Sequence, residues 1–133
     1  MRILKFRYWS NGIRFNDDSG WMFKKGWYSP DQYEFEGMDD PNDIIKYLQK
    51  EGILVSQFTG LLDKNGVEIY EGDIVKDNGL KEEFLLTIIW NKKWCSFEGI
   101  NKKLDYQIPM SDIIIHCEVI GNIYSNPELL TNQ

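Results

Sequence analysis

The sequence predicts a mainly β protein, an α+β chain with one short helix, built as a small SH3-like β-barrel with an N-terminal β-hairpin and helix subdomain. Three observations support this class. Aromatic residues make up 14% of the 133 residues, a content that favours packed sheets. Short apolar stretches alternate with turns rich in glycine and asparagine, as in small barrels. A single segment carries both start and stop signals of a helix.

The length of the chain allows one compact domain with a smaller subdomain, but not two large domains. We expect residues 1–53 to hold the N-terminal strands plus one helix at about 41–51, packed on the barrel. Residues 54–133 are predicted to form the small β-barrel with a short C-terminal tail.

The N-terminal part begins with an apolar stretch over 3–9, followed by Asn11, Gly12 and a second short apolar stretch over 13–15. Asn-Gly supplies the two positive-φ positions of a tight turn, so this segment predicts a hairpin. The stretch 21–28 is interrupted by charged residues and glycine, which favours a strand at a sheet edge.

The one helix predicted with both ends defined follows these strands. Asp40 is suited to cap it, Pro41 to its first position, and Gly52 to its end. Its apolar residues, including Ile44 and Leu48, recur at helical spacing and predict a packing face.

From residue 53 onwards, short strands are predicted over 53–59, 67–70, 72–76, 84–90, 94–97 and 113–123, with turns at 63–66, 78–79 and 91–93. The stretch 84–90 lacks alternation, so we expect it to be covered on both faces. Gly121 would let the last strand bend. The tail from Ser125 is expected to fray, with Leu129 and Leu130 able to dock.

The glycine-rich stretch FTGLLDKNGVEIYEGDIVK, residues 58–76, is interpreted as a structural corner. A calcium loop would need a ligand and a glycine where Val67 and Glu68 stand. Glu68, Glu71 and Asp73 could pair as catalytic carboxylates, but turns and strand starts explain them more simply. The glycines lie between strand-like stretches, whereas a phosphate loop needs them at a strand-to-helix turn.

The soft metal ligands of the chain are Cys95, His116 and Cys117. Neighbours on a strand point to opposite faces, and a structural zinc site needs four ligands, so His116 and Cys117 do not predict a metal site. A cysteine nucleophile would lack a third supporting group. We expect free, buried thiols and no catalytic, cofactor-binding or metal-binding residues.

The net charge of −6 argues against non-specific binding of nucleic acid over the whole surface. Residues 1–15 carry four basic residues and no acid, whereas residues 16–43 carry eight acids, so we expect the two segments to neutralise each other across a sheet. No apolar run is long enough to span a membrane, and the N-terminus is charged where a signal peptide is apolar. The sequence therefore predicts a cytoplasmic protein without a membrane partner.

One patch combines cations with aromatic faces, as single-strand binders do. Its residues are Lys92, Lys93, Trp94, Lys102 and Lys103. The alternative is structural: Trp90 and Trp94 would pack across a hairpin, and the lysines would protect edges.

Three stretches share a pattern with one known family: 5–9 (KFRYW), 57–75 (QFTGL, DKNG and IYEGDIV) and 118–129 (EVIGNIY and NPEL). Together they resemble the YopX family of phage and prophage proteins. The resemblance spans nearly the full chain, although the segments 16–53 and 77–112 carry no matching pattern. It implies a small, mainly β protein encoded by phages and prophages and working in the host cytoplasm. No enzymatic activity is established for such proteins, so no catalytic residues carry over.

The leading hypothesis is a non-enzymatic protein-interaction module that binds a host or phage protein in the bacterial cytoplasm and needs no cofactor. The first alternative is a nucleic-acid-binding accessory protein that uses the Lys/Trp hairpin loop. The second is an acidic DNA mimic that occupies a host enzyme's basic site, using Asp31, Glu34, Glu36, Asp39, Asp40 and Asp43. Opposite charges on the N-terminal strand and the acidic segment also allow a homo-oligomer.

Overall fold

A computed structural model of the chain describes residues 5–14, 21–23, 25–28, 40–78, 84–113 and 116–131. Two compact units divide the chain, one from Lys5 to Gln57 and one from Phe58 onwards. The predicted division between residues 53 and 54, and the packing of the first part on the barrel, stay predictions.

The described residues form short strands and three helices. The strands are β1 (Phe6–Ser10), β2 (Ile13–Arg14), β3 (Trp21–Phe23), β4 (Gly26–Tyr28), β5 (Leu54–Leu62), β6 (Glu68–Tyr70), β7 (Asp73–Asp77), β8 (Phe84–Asn91), β9 (Ser96–Asn101), β10 (Tyr106–Pro109) and β11 (Cys117–Asn122). The helices are α1 (Pro41–Lys50), α2 (Met110–Ile113) and α3 (Glu128–Thr131).

Pairing is antiparallel throughout the described strands, in the orders β4-β1-β5-β6, β10-β9-β8-β7-β11 and β2-β3. The predicted mainly β class is confirmed, although the described residues form three short helices where one was predicted, and one sheet curls into a half-barrel. The closer likeness to SH3 barrels stays a prediction.

The first unit is organised around β1, which pairs with β4 on one side and with β5 on the other. Trp9 of β1 pairs with Trp27 of β4, and their ring centroids lie 5.1 Å apart. Tyr8, Leu48 and Ile53 form the buried core of this unit. β4 lies at the end of its sheet order, as predicted for an edge strand, but the single strand predicted over 21–28 is divided into β3 and β4, which belong to different sheets.

Helix α1 begins and ends close to the predicted residues. The Asp40 side chain accepts a hydrogen bond from the Asn42 backbone N–H at 2.8 Å, and Pro41 occupies the first turn. Gly52 follows the helix at a φ of +79°, a conformation that glycine adopts without strain. Leu48 points into the core, so the apolar stripe serves packing as predicted.

The predicted pairing of the first two strands is wrong. In the described residues β2 pairs with β3, and β1 pairs with β4 and β5. Ser10 Oγ accepts a hydrogen bond from the Gly12 N–H at 3.0 Å, so the Asn11-Gly12 turn redirects the chain without closing a hairpin between its flanking strands. Longer-range pairing, which buries Tyr8, outweighs the local turn signal.

The second unit packs the inner face of its five-stranded sheet against β6 and α2. The buried cluster consists of Ile69, Val75, Leu86, Ile88, Phe97, Met110 and Cys117. Burial of each large aliphatic side chain contributes about 1.5–3 kcal/mol. This cluster is the main source of apolar stabilisation in the unit.

The β5–β6 turn is built on Asp63, whose side chain is only 6% exposed. One carboxylate oxygen accepts the backbone N–H groups of Asn65 at 2.8 Å and Val67 at 2.9 Å. The other accepts the N–H of Val119 in β11 at 2.9 Å. The Lys64 N–H donates to the Cys117 carbonyl at 3.1 Å, so the turn occupies part of the β11 edge.

The β6–β7 corner follows at Gly72, where φ is +87°. Its N–H donates to the Ile88 carbonyl at 2.8 Å, and its carbonyl accepts the Ile123 N–H at 2.9 Å. A Cβ at this position would come within 3.1 Å of Tyr124, so glycine suits both the conformation and the space. Asp73 accepts the Tyr70 N–H at 2.8 Å. The interpretation of this stretch as a corner agrees with these bonds.

The C-terminal half departs from the predicted elements in several places. β9 begins at Ser96, two residues after the predicted start, because Trp94 and Cys95 lie in the turn. The sequence pattern does not predict β10 or α2, and Ile113 lies in α2 rather than in a strand. The β9–β10 turn places Asp105 at a φ of +51°, with no glycine to signal it. The tail forms α3 where the sequence predicts fraying.

Several predictions concern residues outside the described parts. These are most of the acidic segment, the end of the second strand at Phe15, and the turn residue Gly79. Of the six acids assigned to the DNA-mimic hypothesis, Asp40 and Asp43 are described, at the start of α1. Among the described residues, the helices are too short or too polar to cross a membrane.

The bonds of Asp63 predict a pH-dependent contribution to stability. Burial raises the pKa of Asp63, but the N–H groups of Val119, Val67 and Asn65, with the charge of Lys64, outweigh burial and hold it below its ordinary value of 3.8. A lowered pKa stabilises the folded state above pH 3.8, and this stabilisation is lost as pH falls through the folded pKa.

We expect Asp63→Asn to lower the free energy of unfolding by about 1–3 kcal/mol at neutral pH, because its amide N–H₂ would face the Val119 N–H. Urea titrations between about pH 2 and pH 7 should show the difference from wild type narrowing below pH 3.8. Asp43→Asn, on the exposed first turn of α1, is the control. If the difference in unfolding free energy between wild type and Asp63→Asn stayed constant with pH, the lowered pKa of Asp63 would be contradicted.

Candidate functional site

The outer face of the second unit's sheet carries half-buried aliphatic side chains. Leu86 and Ile88 of β8 point into the core, and the alternate residues of that strand face the other way. Thr87 lies directly opposite Ile100 of β9. The aliphatic outer face therefore combines Ile100 with the outward residues of β8, namely Leu85, Thr87 and Ile89.

These residues form the floor of a groove with a volume of about 480 Å³, hereafter the outer-face groove. Lys102 and Lys103, in the β9–β10 turn, line one end of it. Asn101 holds that turn at the Leu85 end, because its side-chain amide donates to the Leu85 carbonyl at 3.1 Å and its oxygen accepts the Leu104 N–H at 3.0 Å. The groove is thus apolar with two ammonium groups at one end.

The C-terminal segment contributes Ile123 and Leu130 to the lining of the groove. Asn126 secures this segment, since its N–H donates to the Asn122 carbonyl at 2.9 Å and its side-chain oxygen accepts the Asn122 N–H at 3.3 Å. Leu129 packs on Gly121, where a Cβ would lie 2.9 Å from its Cδ1. Of the two leucines expected to dock, Leu129 is half-buried on Gly121, whereas Leu130 is exposed at the lining of the groove.

A buried carboxylate lies on the same face, opposite Ile89. Glu98 is 8% exposed, and its Oε1 accepts the side-chain amides of Asn91 at 2.7 Å and Gln107 at 2.9 Å. Two amide donors offset part of the cost of burying this charge. The outer face therefore carries a carboxylate at the Ile89 end and ammonium groups at the Leu85 end.

The β8–β9 turn carries the other candidate residues. Trp94 is 67% exposed, and the Lys93 ammonium lies 5.2 Å from the centroid of its ring. The Asn91 side-chain oxygen accepts the Lys93 N–H at 2.9 Å and shapes the turn. Trp90 packs across the strands as the structural alternative proposed, but its partner is Phe97, with ring centroids 5.0 Å apart, rather than Trp94.

The five sequence-predicted residues fall into two groups. Lys92, Lys93 and Trp94 lie at the start of β9, and Lys102 and Lys103 lie at its end. Six residues of strand separate the groups by about 20 Å. Both groups are exposed, but they do not form one patch.

Sequence reasoning missed the floor of the outer-face groove. The sequence does contain the apolar residues of the floor, because both alternating sets of positions in 84–90 are apolar. That pattern predicts coverage on both faces. The structure instead leaves Leu85, Thr87 and Ile89 only half-buried.

The cysteines and the histidine do not converge. Cys95 and Cys117 are both free, as predicted, but Cys95 is exposed where burial was expected. Burial, with the charges of Asp63 and Asp77, raises the pKa of Cys117 to about 11, so this thiol is protonated at neutral pH and unsuited to nucleophilic attack. Within the described parts of the chain, no three His, Cys, Asp or Glu side chains are grouped to hold a metal.

The close contact at Gly121 predicts that the C-terminal segment is sensitive to one added methyl group. In Gly121→Ala the Cβ would lie 2.6 Å from the Asn126 side-chain oxygen, so Asn126 must move and weaken its bond to Asn122. We expect a loss of about 1–3 kcal/mol in the free energy of unfolding, measured by urea titration. Adding Asn126→Ala should cost less than the sum of the single changes, whereas strict additivity would contradict the clash.

Comparisons with known proteins agree with this fold. A family model described as YopX protein matches residues 5–131. The crystal structure of protein EF1440 from Enterococcus faecalis is similar at 26% sequence identity and a TM-score of 0.53, over 98% of this chain and 99% of that chain. No curated protein matches the chain. The resemblance carried by the three sequence stretches is confirmed, and the chain belongs to the YopX family.

Proposed function

We propose that the protein is a phage- or prophage-encoded, non-enzymatic protein-interaction module that works in the cytoplasm of a bacterial host and binds a host or phage protein. Membership of the YopX family supports the phage-type origin. The observation that carries the binding role is the outer-face groove, an aliphatic depression of about 480 Å³ with Lys102 and Lys103 at one end.

The chemistry of the groove suits a short segment of a protein partner. Its floor is aliphatic, so apolar side chains would gain by burial there, at about 25 cal/mol per Å² of apolar surface. The polar groups at its Leu85 end, Asn101 and the two lysines, would set the orientation of the bound segment. A rigid β8–β9 floor would also cost little reorganisation on binding, because its backbone is already paired.

The nucleic-acid alternative keeps one specific observation in its favour. Trp94 offers an exposed ring beside Lys92 and Lys93, the combination that stacks a base and attracts a phosphate. This surface is separate from the outer-face groove, so the two functions make different predictions for the two lysine pairs.

The protein-interaction proposal is tested by selecting binders from a random peptide library displayed on filamentous phage. Selected peptides should bind Thr87→Phe at least about tenfold more weakly, because the added ring would fill the centre of the groove. Phenylalanine suits a strand, and a retained cooperative thermal transition would show that the variant folds. Val67→Phe adds the same ring on the exposed β5–β6 turn and serves as control. Failure to enrich binders, or equal binding to Thr87→Phe, would overturn the proposal.

The nucleic-acid alternative is tested by fluorescence anisotropy with labelled single-stranded and duplex DNA and RNA at low and moderate salt. It predicts binding to single strands that weakens with salt, with a logarithmic slope of about 0.7 for each phosphate that the protein neutralises. Lys92→Ala with Lys93→Ala should reduce both the affinity and this slope, and Lys102→Ala with Lys103→Ala should not. No binding at low salt, or binding that is independent of salt, would exclude it.

A further inference from the structure

We infer that the outer-face groove binds an amphipathic protein segment with acidic residues at one end, and that Lys102 and Lys103 form ion pairs with those acidic residues. This inference rests on the proposed function and names the chemistry of its partner. The apolar side chains of the segment would lie on Leu85, Ile89 and Ile100, and its acids would face the β9–β10 turn.

Charge complementarity is the first argument. The chain carries a net charge of −6, yet Lys102 and Lys103 stand together at the one end of the groove where Asn101 anchors the turn. Both lysines are exposed, so their ammonium groups are accessible to an anionic group of a partner. An acidic segment would be repelled by most of the surface and attracted at this end, which favours one site and one approach.

The opposite end of the floor gives the segment a direction. The Glu98 carboxylate lies opposite Ile89 and is held by Asn91 and Gln107. A second carboxylate placed near Glu98 would be repelled, whereas one placed near Lys102 would be attracted. The acids of the bound segment therefore lie at the Leu85 end, and its apolar residues extend towards Ile89.

The lining also argues against nucleic acid in this groove. The floor residues Leu85, Thr87, Ile89 and Ile100 are aliphatic or small, so they provide no aromatic ring on which a base could stack. Among the described lining residues the cations stand at one end, so they would not follow a phosphate backbone along the groove. The aliphatic floor suits the apolar side chains of a peptide, and the cations at one end suit its acidic residues.

The test uses three fluorescein-labelled peptides that share the apolar sequence Leu-Ala-Leu-Leu-Ala-Leu and differ in the two residues before it: two aspartates, two serines or two lysines. Anisotropy against the whole protein should give the tightest binding for the aspartate peptide and the weakest for the lysine peptide. The preference should shrink as salt rises, because the ion pairs are partly exposed.

Charge reversal assigns the preference to the two lysines. Lys102→Glu with Lys103→Glu should weaken binding of the aspartate peptide by about two- to thirtyfold, the range for two partly exposed ion pairs, and should invert the order of the aspartate and lysine peptides. Lys92→Glu with Lys93→Glu changes net charge by the same amount at the other end of β9 and should leave that order unchanged. Thr87→Phe should weaken all three peptides.

Three results would overturn the inference: no binding of the aspartate peptide, equal binding of all three peptides, or an equal effect of the two charge reversals. If displayed peptides still require an open groove at Thr87 while the charge reversal has no effect, the interaction module stands and the acidic preference fails. If neither displayed nor designed peptides respond to Thr87→Phe, both fail.

Discussion

The Asp63 carboxylate is the contact on which the second unit depends most. Its two oxygens close the β5–β6 turn through Asn65 and Val67 and, 56 residues further along the chain, hold Val119 of β11. A charged acceptor with three backbone donors is strong because each bond is charge-assisted. Because Asp63 is buried, the fold is also sensitive to its replacement: removing the carboxylate would leave backbone N–H groups without an acceptor where water has little access.

The consequences of this contact extend to the candidate site. β11 ends with Gly121 and Asn122, and these residues contact Leu129 and Asn126 of the C-terminal segment. That segment supplies Ile123 and Leu130 to the outer-face groove. The C-terminal wall of the groove is therefore positioned by β11, and β11 is in turn held by the β5–β6 turn through Asp63.

Two features of the candidate site could not be predicted from the sequence: the separation of the basic residues and the floor of the groove. The sequence predicts one patch from Lys92, Lys93, Trp94, Lys102 and Lys103, but it does not show that these residues flank a strand at its two ends, because the bounds of β9 are not evident from the pattern. β9 begins at Ser96, so its two flanking turns carry Lys93 and Lys102 at opposite ends. The groove floor was missed because apolar residues on both faces of β8 predict coverage, while only the assembled sheet decides how much of each face is covered.

The sequence by itself determined the features that depend on neighbouring residues: the mainly β class, the Asp40 cap and Pro41 start of α1, and the turn at 63–66. These depend on hydrogen bonds and backbone preferences that span a few residues, so local chemistry suffices. The tertiary structure alone decided which strands pair, and it paired β1 with β4 and β5 across the local Asn11-Gly12 turn. It also decided which apolar face forms a groove. Such choices depend on the total area that a pairing buries, and this area is a property of residues distant in the chain.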